Sequence, residues 1–177
     1  MKAINIAKLD SNELYQLIDR YVSEVREELF NMKPFEVKRE VISGLNRLER
    51  KEMISHEKLN VQIGDICYLD FGQTYLNEAG FQHFGLVLTM FNYKAFVVPM
   101  SSNETQIIQA RNYRYASDYK EHLYYIGQPK GLSKPSVLFL NDGKFINTSR
   151  IISVKAHLNP KGAMMKEIRN LVASLFE

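Results

Sequence analysis

The chain has 177 residues, 45% of them hydrophobic, which is enough for one good core with a helical appendage. No run approaches twenty apolar residues, so no membrane-spanning helix is expected. The opening MKAINIAKLDSNE lacks the apolar core of an export signal, and the single cysteine, Cys67, excludes a disulfide framework or a thiolate metal cluster. Both features point to the cytoplasm, with Cys67 a small buried strand residue. Net charge is +3, unevenly spread: residues 103–177 carry 11 Lys/Arg against six acids, whereas residues 1–60 balance 11 against 11. A polyanion would therefore meet the second half first.

In chain order, residues 11–30 read as a helix, with Leu14, Leu17, Ile18, Tyr21, Val25 and Leu29 at helical spacing and Asp10 with Glu13 as a capping box. Asn31 to Pro34 breaks the pattern. A second helix starts at Pro34, whose missing amide proton costs nothing there, and Val37, Val41, Leu45 and Leu48 give it one apolar side. Residues 1–60 thus form an N-terminal helical extension. From Ile63 the period changes to 2. Short strands are expected around Ile66–Asp70, Gly85–Thr89 and Lys94–Pro99. Val137–Leu140 and Lys144–Ile146 flank Asn141-Asp142-Gly143, which reads as a hairpin turn. Ile151–Lys155 adds a further strand. Asn159 and Pro160 then open a terminal helix with Met164, Ile168, Leu171, Val172 and Leu175 as its stripe. This pattern predicts an α+β chain: a small antiparallel β-barrel of five to seven strands from about 61 to 156, within a domain of 61–177 that carries an insertion at about 103–134.

The sequence holds no HExxH, CxxC, Walker loop or GxGxxG, and none of the four histidines has a partner at metal-ligand spacing. No metal and no cofactor are expected. His83 stands just before the strand GLVLT, at the mouth of the barrel, and Ser101 and Ser102 end the strand AFVVP. An imidazole exchanges protons near neutral pH and serine hydroxyls hold phosphate oxygens, a pairing suited to phosphodiester transfer. The plain alternative is an exposed histidine and two serines that end a strand. Arg111, Tyr113, Arg114 and Tyr115 interleave rings with cations, as single-stranded nucleic acid is bound. The plain alternative there is tyrosines packed on the barrel.

At these residues the sequence resembles the MazF/PemK (Kid) family of bacterial toxins, whose MazF/PemK/CcdB-like domain is an SH3-like barrel. Gly64-Asp65-Ile66, Asn77-Glu78 with Gln82-His83-Phe84-Gly85-Leu86-Val87-Leu88, Val97 to Ser102 and Ser136 to Ile151 carry the resemblance in order, over roughly residues 61–176. The segment FGLVLTMFNYKAFVVPMSS also resembles related toxins that are inhibited by a repeated RNA (type III), with Ser101 and Ser102 matching their Thr-Ser pair. The resemblance implies a toxin of a toxin–antitoxin system: a metal-independent endoribonuclease that cuts single-stranded RNA by 2′-hydroxyl attack and leaves a cyclic phosphate. It implies a homodimer silenced by a cognate antitoxin, expected as a protein, with an RNA as the alternative. It assigns catalysis to His83, Ser101 and Ser102. The family pattern has Arg-Pro where this chain has His83-Phe84. Either His83 takes over as acid/base or cationic donor, or the barrel is a non-catalytic RNA- or protein-binding module that has lost the arginine.

Overall fold

The computed structural model describes residues 10–53, 59–114 and 118–177. Two compact units are present, one ending at Val41 and the other running Ile42–Glu177. In the first unit, α1 (Ser11–Asn31) begins with the expected capping box: the Asp10 carboxylate accepts the Glu13 amide and the Glu13 carboxylate accepts the Asp10 amide. Helix α2 (Pro34–Arg50) starts at the proline, as its chemistry requires. Its last turns belong to the second unit, because Ser43 Oγ and Asn46 Nδ2 donate to the buried Asp70 carboxylate at 2.8 and 2.9 Å.

Among the described residues the second unit has eight strands, one more than the upper expectation. They are β1 (Asp65–Asp70), β2 (Gln82–Phe91), β3 (Lys94–Ser101), β4 (Ala110–Arg111), β5 (Lys120–Gly127), β6 (Ser136–Phe139), β7 (Lys144–Asn147) and β8 (Ile151–His157). The order is β4-β5-β6-β3-β2-β1-β8, with β7 also on β3. Every pairing is antiparallel except the short β4–β5 contact, so the chain adopts the expected α+β, barrel-type fold. The region read as an insertion supplies α3 (Glu104–Ile108), β4 and β5.

Strands β1 to β3 are nearly continuous apolar runs because both of their faces are covered. Ile66, Leu86, Val98 and Met100 pack with Met165, Ile168 and Val172 of α4 (Ala163–Ala173), while the alternating Cys67, Leu69, Val87 and Val97 pack with Ile146 and Ile151. Gly85 sits where these strands crowd: a Cβ there would lie 2.4 Å from Val97 Cγ1. The terminal helix starts later than expected. Asn159 accepts the Lys161 amide in a preceding turn and Gly162 is the cap. The buried stripe accordingly holds Met165 rather than Met164.

The Asn141-Asp142-Gly143 hairpin is overturned. Leu140–Asp142 is a 3₁₀ turn, and Gly143 has an ordinary φ of −65°. β6 pairs with Met100 and Ser101, and β7 pairs with Lys94–Val97, both antiparallel to β3. The chain therefore keeps its direction, and β6 and β7 are two pieces of one interrupted strand along β3. Lys144 Nζ and the Asp142 carboxylate hold that interruption to Ala79 in the β1–β2 loop.

Candidate active site and nucleic-acid interface

His83 lies inside β2 rather than before it, opposite Leu69 of β1. The β2–β3 ladder reaches Phe84 opposite Met100, so His83 and Ser101 stand one step beyond that pair on neighbouring strands. Neighbouring strands lie about 4.8 Å apart, which brings the two side chains onto one face. His83 is half-buried and its Nδ1 is 3.2 Å from the Gln82 carbonyl. With Nδ1–H donating to that carbonyl, Nε2 carries the lone pair and is the basic nitrogen. Ser101 Oγ accepts the Asn103 amide at 3.1 Å, which leaves the hydroxyl proton to donate elsewhere. Ser102 is exposed beside it, where Asn103 caps α3 through the Thr105 and Gln106 amides.

The expected nucleic-acid residues divide between two places. Arg111 belongs to a cross-strand row that continues through Tyr124, Leu138, Met100, Phe84 and Tyr68. Along the sheet, four strand spacings, a path of roughly 19 Å, lie between it and the strand of His83. Its guanidinium lies 5.3 Å from the Tyr119 ring centroid and Nη2 is 3.3 Å from the Tyr119 hydroxyl. Tyr113 meets Tyr125 edge-on at 5.0 Å and carries the Arg114 guanidinium at 5.1 Å. Tyr125 is opposite Val137, and Val137 is opposite Ser101. Tyr113 and Arg114 thus continue the face of His83 and Ser101, whereas Arg111 lies on the other. Tyr115 lies outside the described residues. Tyr124 is buried, donates to Glu167 Oε2 at 2.8 Å, and is pushed up to about 12 by burial and then by that carboxylate.

Two cations not expected from the sequence stand at the same end of the sheet. Arg150, exposed, donates from Nη1 to the Phe71 carbonyl at 2.9 Å and lies 3.5 Å from the Asp70 carbonyl. Gly72, with φ +87°, makes room: a Cβ there would lie 2.8 Å from Arg150 Nη1. Lys144 Nζ is 5.6 Å from the Phe71 ring centroid. The signal available in the sequence was the Arg150-Ile151 pair that ends the resembling stretch. Cys67 is fully buried, its thiol pushed up to about 12 by burial and then by the Asp65 charge, so it is inert at neutral pH. Among the described residues no group of three or more His, Cys, Asp or Glu could hold a metal ion, and no helix is long and apolar enough to cross a membrane.

No family model matches the sequence, and no curated protein matches it. Among solved structures the chain is similar to MazF from Deinococcus radiodurans (form I), at 18% identity and a TM-score of 0.47 over 66% of this chain and 96% of that chain. It is also similar to the Mycobacterium tuberculosis toxin MazF-mt6, at 14% and 0.43 over 63% and 95%. The MazE–MazF crystal structure (form II) from D. radiodurans is similar at 17% and 0.43 over 67% and 97%. Identity at this level transfers no residue role, so the chemistry is argued from the chain's own geometry.

Proposed function

We propose that the chain is a metal-independent endoribonuclease toxin that cuts single-stranded RNA. The observation that carries this reading is the placement of His83 and Ser101 side by side at the ends of β2 and β3. His83 Nε2 takes the proton of a ribose 2′-hydroxyl. The 2′-oxygen attacks the adjacent phosphorus, and the 5′-oxygen leaves with a proton from solvent. The products are a cyclic phosphate and a 5′-hydroxyl. Ser101, with Ser102 beside it, holds a non-bridging oxygen. Arg150, anchored by backbone carbonyls at the neighbouring end of β1, supplies the positive charge that offsets the developing negative charge. Arg114 binds a flanking phosphate, and Tyr113 or Tyr115 stacks on a base. The partners are single-stranded RNA, a cognate antitoxin protein and a second copy of the chain, in the cytoplasm.

The purified chain is expected to cut RNA in EDTA and to leave 5′ fragments ending in cyclic phosphate. His83→Ala is expected to lower the rate about a hundredfold or more, the usual contribution of a general base, and Ser101→Ala is expected to lower it as well. A requirement for Mg²⁺, or unchanged cutting in both variants, sinks the reading. A second reading, a binding module without catalysis, is favoured by one feature: His83 and Phe84 occupy ladder positions where the resembling family has Arg-Pro. Growth arrest on induction of the wild-type chain, absent for His83→Ala, separates the two.

A further inference from the structure

The sheet face opposite His83 carries an unassigned cluster. Tyr68 of β1 and Phe84 of β2 are directly opposite, with ring centroids 5.2 Å apart and planes tilted by 51°. Gln82, two residues before Phe84 and so on the same face, accepts the Tyr68 hydroxyl on Oε1 at 2.9 Å. An amide whose oxygen is taken in this way keeps two N–H donors. Further along the same face α4 covers Ile66, Leu86 and Met100, but Phe84 is 36% exposed. The cluster therefore begins where the helix cover ends.

From this we infer that Tyr68, Gln82 and Phe84 form a binding site for one unpaired nucleobase, stacked on the Phe84 ring with its edge read by the Gln82 amide. The assignment rests on the RNA reading of this end of the sheet. A π-face combined with a fixed amide suits a flat heteroaromatic ring with acceptors on its edge. Position selects the source of that ring. Phe84 follows His83 in the chain and lies opposite Met100, the neighbour of Ser101. A single strand crossing the end of the sheet with its phosphate at His83 and Ser101 can turn a base over β2 onto Phe84. The Tyr68 hydroxyl acts as a positioning group that fixes which end of the Gln82 amide faces the base.

The test is binding of fluorescein-labelled 2′-O-methyl octanucleotides, which cannot react through the 2′-oxygen, to the full chain. Homopolymers of A, C and U are compared with an abasic octamer that keeps the phosphates. The wild type is expected to bind at least one homopolymer about tenfold more tightly than the abasic strand, in line with one stacked base. Phe84→Leu, which keeps apolar bulk but no ring face, is expected to lose that margin without weakening abasic binding, and Phe84→Trp to retain it. Tyr68→Phe is expected to keep the margin and to narrow the differences between homopolymers. Equal margins in Phe84→Leu and wild type overturn the site, as does a loss shared equally with the abasic strand. Base-dependent binding by a chain that cuts no RNA keeps the site and removes the nuclease. Unaltered cutting by Phe84→Leu at equal affinity keeps the nuclease and removes the site.

Discussion

At the site, His83 and Ser101 are each held by backbone: His83 Nδ1 lies 3.2 Å from the Gln82 carbonyl, and Ser101 Oγ accepts the Asn103 amide at 3.1 Å. The buried carboxylates of the domain find their partners within the protein. The Asp65 carboxylate accepts the Gln62 amide and meets His157 Nδ1 at 2.8 Å. Cys67 and Tyr124 are committed through burial, and both hold their protons far into alkali. Cys67 moves from 9.0 to about 12 and Tyr124 from 10.0 to about 12. The unfolded chain releases these protons first, so above pH 9 it binds fewer protons than the folded chain. Stability present below pH 9 is therefore lost as pH rises toward 12. Urea midpoints taken at about pH 8 and about pH 10.5 should fall for the wild type. The fall should shrink in a Cys67→Val, Tyr124→Phe double variant. An equal fall in both proteins would assign the alkaline loss to other groups.

Among the elements, Gly85 leaves the space over β2 that the Val97, Leu69 and Phe71 side chains fill. Gly85→Ala puts a methyl against Val97 on one side and Leu69 and Phe71, each at 3.2 Å, on the other. Overpacking of this kind costs about 1–3 kcal/mol, read as a lower denaturation midpoint. Asp70→Ala should cost a similar amount, about 1–3 kcal/mol, by stranding the Ser43 donor and removing the Asn46 and Gly72 contacts. What the sequence revealed about these elements followed the range of the interaction. The Asp10 capping box, Pro34 and the alternation from Ile66 onward are local, and they appear where expected. The adjacency of His83 and Ser101 was legible because both stand at the ends of strands joined by a short turn. Asn141-Asp142-Gly143 misled because a 3₁₀ step and a hairpin use the same residue types. The difference lies in β3, which pairs with both flanking pieces. The anchoring of Asp70 by Ser43, 27 residues earlier, left no mark on either local pattern.

At the scale of the whole molecule, the helical unit contrasts with the sheet domain. Helix α1 buries none of its residues, and Leu14, Tyr21, Val22 and Phe30 are 49%, 64%, 57% and 78% exposed. An apolar groove within this unit is lined by Tyr21, Val22, Val25, Leu29, Phe30 and Val37. A lone helix pair is marginal in water, and pairing with a second copy would cover the stripe as the helices of a bundle cover one another. The homodimer proposed above would then have its contact on these helices. The division of the chain decides where to cut it for the test. A chain beginning at Ile42 keeps Ser43 and Asn46 on Asp70, whereas one beginning at Glu57 would strip that buried carboxylate of both. Sedimentation equilibrium of the full chain should give the mass of a dimer, and the chain from Ile42 that of a monomer. Tyr21→Ser with Val22→Ser in the full chain should weaken the dimer without lowering the melting temperature of the sheet domain. A dimer that persists in the chain from Ile42 would place the contact on the sheet domain, and a monomeric full chain would rule out self-association through either unit.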